Sequence, residues 1–183
     1  MKTIILDPGH GMGNRKAGTF DPGAVSNGIR EADIAMDWAN LLREILIDRG
    51  HKVIRTRVDH KDPAPIGQRA KIAKDYRGEI MLSLHCNAAT GTASGTETFY
   101  RGANHKAKAE ALTAAVCKAL DTKNRGAKTE GQSQHSRLAV MAFQPCYLLE
   151  IGFIDHNGDL NKMIDPALRR QACNAIADIL LQP

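Results

Sequence analysis

Aromatic residues are scarce in this chain, with one tryptophan, three tyrosines and four phenylalanines among 183 residues. No basic stripe interleaved with aromatics and no zinc-finger spacing appears, which argues against nucleic acid as a partner. Cysteine is sparse and scattered. Cys86, Cys117, Cys146 and Cys173 include no CxxC pair, and a chain of this length needs no disulfide scaffold. Buried, reduced thiols are the expected state, in keeping with synthesis in a reducing cytosol. No apolar run is long enough to cross a bilayer, so stable membrane insertion is not expected. The N-terminal MKTIILDPGH lacks the apolar length and cleavage site of a signal peptide. It leads straight into a strand, and any export is expected to use another route. Internal repeats, linkers and low-complexity tracts are also missing. Residues 1–183 are therefore expected to form one domain, which at this length buries roughly 70% of the surface its unfolded chain exposes.

What is present is an ordinary soluble composition with a formal charge of +5. That balance suits an anionic partner such as an acidic polymer or lipid, and is equally common without one. Along the chain, short apolar runs alternate with helical periodicity. Strands are expected at Lys2–Leu6, His51–Arg57, Glu79–His85 and Cys146–Ile151, with a more exposed, alternating one at Thr96–Arg101. A Gly-rich loop covers Gly11–Gly28. Loops that long are often functional. From Glu31 to Arg49 the period changes: Ile34, Trp38, Leu41, Leu42 and Ile45 share one face, and Gly50 stops the helix. Further helices are expected at Pro65–Tyr76, Asn104–Asp121 and Leu168–Leu181. Thr122–Ser136 reads as a polar loop and Leu138–Phe143 as a short strand or turn. Strands alternating with helices predict an α/β domain with a mainly parallel sheet.

Four polar residues stand where strands end or a helix begins: His10 in ILDPGHG, Glu31 in GIREADIA, His85 in LSLHCNA and Glu150 in YLLEIGF. In open α/β sheets, sites gather beyond the carboxyl ends of the strands, so these four are expected to converge. Two histidines and one carboxylate form an open ligand set for catalytic zinc, and a nearby second carboxylate suits general base work. That constellation predicts metal-assisted hydrolysis. Taken singly, each residue has a plainer explanation. Glu31 would complement a helix N-terminus, and Glu150, a carboxylate in an apolar strand, would pair with an arginine such as Arg69. His85 and Asn87 are two apart and share a strand face, which turns Cys86 towards the core. His51, His60 and His105 read as exposed or loop residues. For His135 and His156 a loop role is favoured over a substrate contact.

The segments ILDPGHG, DPGAVSNGIREADI, VIRTR, SLHCNA, GTETFY and LLEIGFIDH occur in this order. Together they resemble the zinc-dependent N-acetylmuramoyl-L-alanine amidases of the amidase-3 type, over nearly the whole chain. The resemblance implies zinc held by His10, Glu31 and His85, with Glu150 as the catalytic glutamate. It also implies a single α/β domain whose twisted sheet is flanked by helices on both faces. The implied substrate is peptidoglycan, cut at the amide between N-acetylmuramic acid and the first L-alanine of the stem peptide. Asp7 is a candidate acceptor for the second ring proton of His10. Asn87 is expected to contact substrate, and Asp21 and Ala24 to shape the pocket or touch substrate.

The chain shows neither the site-blocking segment of cell-division members nor a binding module, and it ends soon after its last helix. It is thus expected to be a monomeric, phage endolysin-like enzyme. Such a protein would be made in the cytoplasm and released to the wall by a separate pore. A bacterial wall-remodelling amidase is the alternative. A zinc carboxypeptidase, a non-catalytic wall-binding module and a membrane-active protein working through its last helix are lesser ones.

Overall fold

The computed structural model describes residues 1–182. The chain opens with β1 (Thr3–Pro8), followed by two small hairpins, β2 (Gly11–Met12) with β3 (Phe20–Asp21) and β4 (Val25–Ser26) with β5 (Ile29–Arg30). Then come α1 (Glu31–Asp48), β6 (Lys52–Arg55), α2 (Arg69–Asp75), β7 (Ile80–Asn87), β8 (Thr96–Tyr100) and α3 (Lys106–Leu120). The chain closes with β9 (Asn124–Thr129), β10 (Cys146–Phe153), α4 (Asn157–Ile164) and α5 (Pro166–Leu181). The main sheet has the order β6-β1-β7-β10-β8-β9. Its first four strands are parallel, while β8 runs antiparallel to β10 and parallel to β9. This is the α/β domain, with a mostly parallel sheet between helices, that the alternating pattern predicts.

Side chains alternate across the pleat and so divide the sheet into two unlike faces. On one, Ile4, Leu6, Ile80, Leu82, Leu84, Tyr147, Leu149 and Ile151 meet the apolar stripes of α1, α3, α4 and α5 in one continuous core. Trp38 of α1 is fully buried there, and its indole N–H donates to the Met163 carbonyl at 3.0 Å. Each such large side chain contributes roughly 1.5–3 kcal/mol by leaving water. The other face carries a smaller cluster. There Ile5, Met81, Phe99 and Leu148 lie under α2 and a 3₁₀ turn at Ala139–Ala142. Cover on that side is short, and a cleft opens over the carboxyl ends of the strands.

Three expectations needed correction, and one helix had not been expected. Gly11–Gly28 is not structureless, since both small hairpins lie in it. β8 is buried along its whole length rather than exposed. Its polar residues had suggested solvent, yet they are satisfied inside: Thr98 shares a 2.8 Å hydrogen bond with Thr113, and Thr96 Oγ1 donates to the Ile151 carbonyl at 2.7 Å. The expected loop Thr122–Ser136 contains β9, an edge strand whose sequence NRGAKT carries no apolar alternation because it pairs on one side alone. Helix α4 was unforeseen. His156 starts it, its Nδ1 accepting from the Asp159 amide at 3.1 Å.

Candidate active site

The register of the central strands assembles the site. Glu150 of β10 lies beside His85 of β7 on one side and Glu97 of β8 on the other. Strand alternation puts these residues and Asn87 on the sparsely covered face, while Cys86 is buried in the main core. Glu31 arrives from the first turn of α1, whose start is tied to the glycine-rich segment by hydrogen bonds from Glu31 N to Ala24 O and from Ala32 N to Pro22 O. His10 follows β1 in a left-handed conformation, with φ of 59°.

Glu31 is the hub. Its Oε1 lies 2.9 Å from His85 Nδ1 and accepts from the Cys86 amide at 2.9 Å. Its Oε2 lies 3.0 Å from His10 Nε2 and accepts from the Ala24 amide at 3.0 Å. Burial opposes its charge, but the contacts with His10 and His85 win and hold the carboxyl well below the usual range. His10 is the mirror image: burial disfavours its charged form, and hydrogen bonds to Glu31 and Asp21 raise its pKa nonetheless. Glu150 behaves oppositely to Glu31. Burial, reinforced by the charges of Glu31 and Glu97, pushes its carboxyl well above the ordinary value. Its Oε2 is enclosed and has no hydrogen-bond partner among the described residues.

Ligating atoms of His10, Glu31 and His85 all lie within 4.8 Å of one another. The backbone makes room for them. A Cβ on Gly23 would stand 2.5 Å from Glu31 Oε2, and one on Gly9 would stand 2.3 Å from His85 Cε1. Two imidazoles, one carboxylate and a nearby unpaired carboxylate oxygen fit a divalent cation such as zinc.

The cleft has a volume of about 530 Å³ and contains His10, Glu31, His85, Glu150, Ala24 and Asn87 in its lining. The structure thus brings the expected ligand set, the expected base and two of the three expected substrate contacts together. Asn87 has its amide engaged, with Nδ2 donating to Glu97 Oε1 at 3.0 Å. Asp21 sits behind His10, its Oδ2 3.1 Å from Nδ1. Asp7, the expected partner of that nitrogen, instead accepts from Thr56, Ser83 and Arg69 in a fully buried group. Arg69 accordingly pairs with Asp7 and not with Glu150. His135 stands in the cleft wall with Gln132 and Gln134.

Several site residues escaped the sequence reading. Glu97 accepts from Arg125 Nε at 2.7 Å and Lys128 Nζ at 2.6 Å, so two cations stand in the cleft wall next to Glu150. The signal for Glu97 was its parity with Phe99 in GTETFY, which places it on the face opposite Thr98. For Arg125 and Lys128 the missed strand β9 hid the signal. Asn14 and Arg57 had none.

The fold places at the carboxyl edge of an α/β sheet a His-Glu-His cluster that could hold a metal ion. The N-acetylmuramoyl-L-alanine amidase family of the amidase-3 type matches residues 4–182, and the chain belongs to that family. A cell wall amidase of Bacillus anthracis, described as uncharacterized, is 31% identical over 96% of this chain and 34% of its own length. The N-acetylmuramoyl-L-alanine amidase LytC of Bacillus subtilis is 28% identical over 97% of this chain, again 34% of its own length. The chain thus spans about a third of both relatives. Among solved structures, an N-acetylmuramoyl-L-alanine amidase from Clostridium difficile 630 superposes with a TM-score of 0.85 at 25% identity, covering 98% of this chain and 95% of that one. The catalytic domain of CwlV from Bacillus (Paenibacillus) polymyxa var. colistinus gives 0.84 at 26%, covering 98% and 96%.

Proposed function

We propose that this chain hydrolyses the amide joining the lactyl group of N-acetylmuramic acid to L-alanine in peptidoglycan. The observation that carries this reading is the enclosed, unpaired Glu150 carboxyl standing beside the His10–Glu31–His85 cluster in one cleft. His10, Glu31 and His85 are the residues proposed to hold a zinc ion. When bound, that ion supplies a Lewis acid that polarises a carbonyl and makes a water more acidic. The chain's own residues do the rest. Glu150 takes a proton from the attacking water and passes it to the departing alanine nitrogen. Burial and the charges of Glu31 and Glu97 raise its proton affinity above that of an ordinary glutamate, which favours taking up that proton. Arg125 and Lys128 pair with Glu97 and bring positive charge into the cleft wall. Ala24 and Asn87 are the lining residues proposed to meet substrate, and Asp21 to hold His10 rather than substrate.

The relatives carry names of cell wall, sporulation-specific and germination-specific amidases from bacteria, which supports the bacterial wall-remodelling setting and not the phage-lysis one. No described helix is long and apolar enough to cross a membrane. The test is release of new L-alanine amino termini from purified peptidoglycan, with chelator and with zinc restored. Termini that vanish on chelation and return with zinc are expected. A folded, zinc-loaded protein that releases none, but trims a free peptide from its carboxyl end, would replace the amidase reading with the carboxypeptidase one.

A further inference from the structure

The loop that presents His10 makes a heavy demand on its surroundings. Three consecutive carbonyls, those of Pro8, Gly9 and His10, point at two buried guanidinium groups. Arg57 donates to Pro8 O at 2.9 Å and to Gly9 O at 2.8 Å, and it also reaches Ala32 O in the first turn of α1 at 3.0 Å. Arg69 donates to Pro8 O at 3.0 Å and His10 O at 2.6 Å. Their exposures are 0% and 2%. A buried guanidinium costs several kcal/mol in lost hydration, so a fold keeps one only where it is fully bonded. Asp7 compensates Arg69 at 2.8 Å.

Arg69 also begins a chain of side-chain bonds whose polarity is fixed throughout. Its Nη2 donates to Asn14 Oδ1 at 3.1 Å. A guanidinium can only donate, so the oxygen of the Asn14 amide must face it and the nitrogen must face away. That nitrogen donates to Asp21 Oδ2 at 2.6 Å. Asp21 Oδ2 in turn lies 3.1 Å from His10 Nδ1, and its Oδ1 accepts from the Gly23 amide at 2.9 Å. In the neutral imidazole a carboxylate there favours the ring proton on Nδ1, which assigns Nε2, the nitrogen facing Glu31, to ligation. Asn14 is 5% exposed, and its side chain has no other partner among the described residues.

We propose that Arg69 and Asn14 are positioning residues for metal capture. Acting in series through Asp21, they fix the orientation and ring-proton position of His10. The inference rests on the reading of His10 as a metal ligand. Removing Arg69 also orphans buried Asp7 and threatens the fold, so the decisive variant is Asn14→Ala. It leaves the Arg69–Asp7 pair and the three carbonyl bonds in place.

The measurement is zinc affinity by competition with a chelator, well below the melting temperature, for wild type, Asn14→Ala, Asp21→Ala and the double variant. The visible spectrum of the cobalt-loaded proteins reports geometry at the ion. Asn14→Ala is expected to weaken zinc binding about 10–100-fold, the range usual for lost outer partners, and to alter the cobalt spectrum. Because the two residues act in series, the double variant should bind no more weakly than Asp21→Ala alone. Affinity within twofold of wild type for Asn14→Ala, or losses that simply add, would overturn the proposal while leaving the metal reading intact. Wild-type protein that binds no zinc would overturn both.

Discussion

The two faces of the central sheet are built on opposite rules. Under α1, α3 and α5 the sheet presents Ile4, Leu6, Leu82, Leu84 and Leu149, all completely buried, and contributes stability by excluding water. On the other face the same strands, one residue out of phase, present Asp7, Ser83, His85, Glu150 and Glu97. That face buries charge and must satisfy it bond by bond. The difference teaches where function is placed: the apolar face holds the strands in register, and the register then sets His85, Glu150 and Glu97 side by side. Within the polar face a second contrast appears. Asp7 and Glu31 are saturated with donors, whereas Glu150 has an oxygen left without one.

Breaking that second contrast should give the largest effect. Glu150→Gln removes that orphaned carboxylate and is expected to cut turnover about 10²–10⁴-fold, the usual worth of a general acid–base group. Zinc content should be unchanged by metal analysis. The metal-free variant should melt no lower than wild type at neutral pH, since an unpaired buried group that burial pushes up is replaced by a neutral one. A variant with near-normal turnover would remove Glu150 from the proposed chemistry.

Next in size is a direct test of the two rules. Arg69→Leu leaves Asp7 without its cation in a fully buried site, and a broken buried pair of this kind costs about 3–5 kcal/mol. Leu82→Ala on the other face should cost about 2–5 kcal/mol through transfer and cavity terms. Denaturant midpoints at several salt concentrations measure both. The faces should respond alike in size but not in double variants: Arg69→Leu with Asp7→Leu should recover the part of the loss that comes from the stranded Asp7 charge, while the carbonyls and hydroxyls that the pair had bonded stay unpaired.

How much of this was legible depends on which face a residue serves. The apolar face was plain, since Ile34, Trp38, Leu42 and Ile45 repeat at helical spacing and the strands beneath them are continuous apolar runs. The ligand set was also legible, because chemistry-bearing residues at strand ends and a helix start are conspicuous. The polar face resisted. Glu97 and Thr98 made β8 look solvated because a sequence does not say which polar atoms find partners inside. NRGAKT of β9 reads as loop because an edge strand carrying two cleft cations has no apolar alternation to announce it. Arg57, Arg69 and Asn14 resemble surface residues until the loop carbonyls they bond are seen.

Acidity sharpens the comparison further. In Asp7, Glu31 and Glu97 burial raises proton affinity, but bonded partners outweigh it, so each carboxyl titrates lower in the folded protein than when unfolded. Their contribution is complete above the unfolded carboxyl pKa, about 4, and is lost as pH falls through the folded values. Glu150 has the reverse sign. Its folded pKa is raised, so it favours unfolding increasingly as pH climbs from about 4.3 towards that value. Metal-free wild type should therefore lose stability steeply on acidification, and Asp7→Asn should flatten that slope. Glu150→Gln should gain on wild type on the neutral side alone. Melting curves from pH 3 to 8 measure all three, and an unchanged acid slope in Asp7→Asn would show that its burial carries no proton linkage.

The smallest effect is expected two residues from one of the largest. Lys71 and Asp75 form a 2.6 Å ion pair on α2, one i,i+4 step apart, with side chains 72% and 53% exposed. In that setting water already solvates both charges, so the pair contributes about 0.5 kcal/mol or less. Lys71→Ala should shift the denaturant midpoint barely measurably, lose even that shift in high salt, and leave zinc affinity untouched. Arg69 stands on the same helix with a charge of the same sign and a partner at a similar distance, 2.8 Å. What separates them is solvent. Facing outward, the ion pair replaces one good environment for each charge with another. Facing the sheet, the guanidinium has given up water entirely and must be repaid by Asp7, Asn14 and three carbonyls. If Lys71→Ala proved as damaging as Arg69→Leu, helix α2 itself, rather than what Arg69 bonds, would be what supports the polar face.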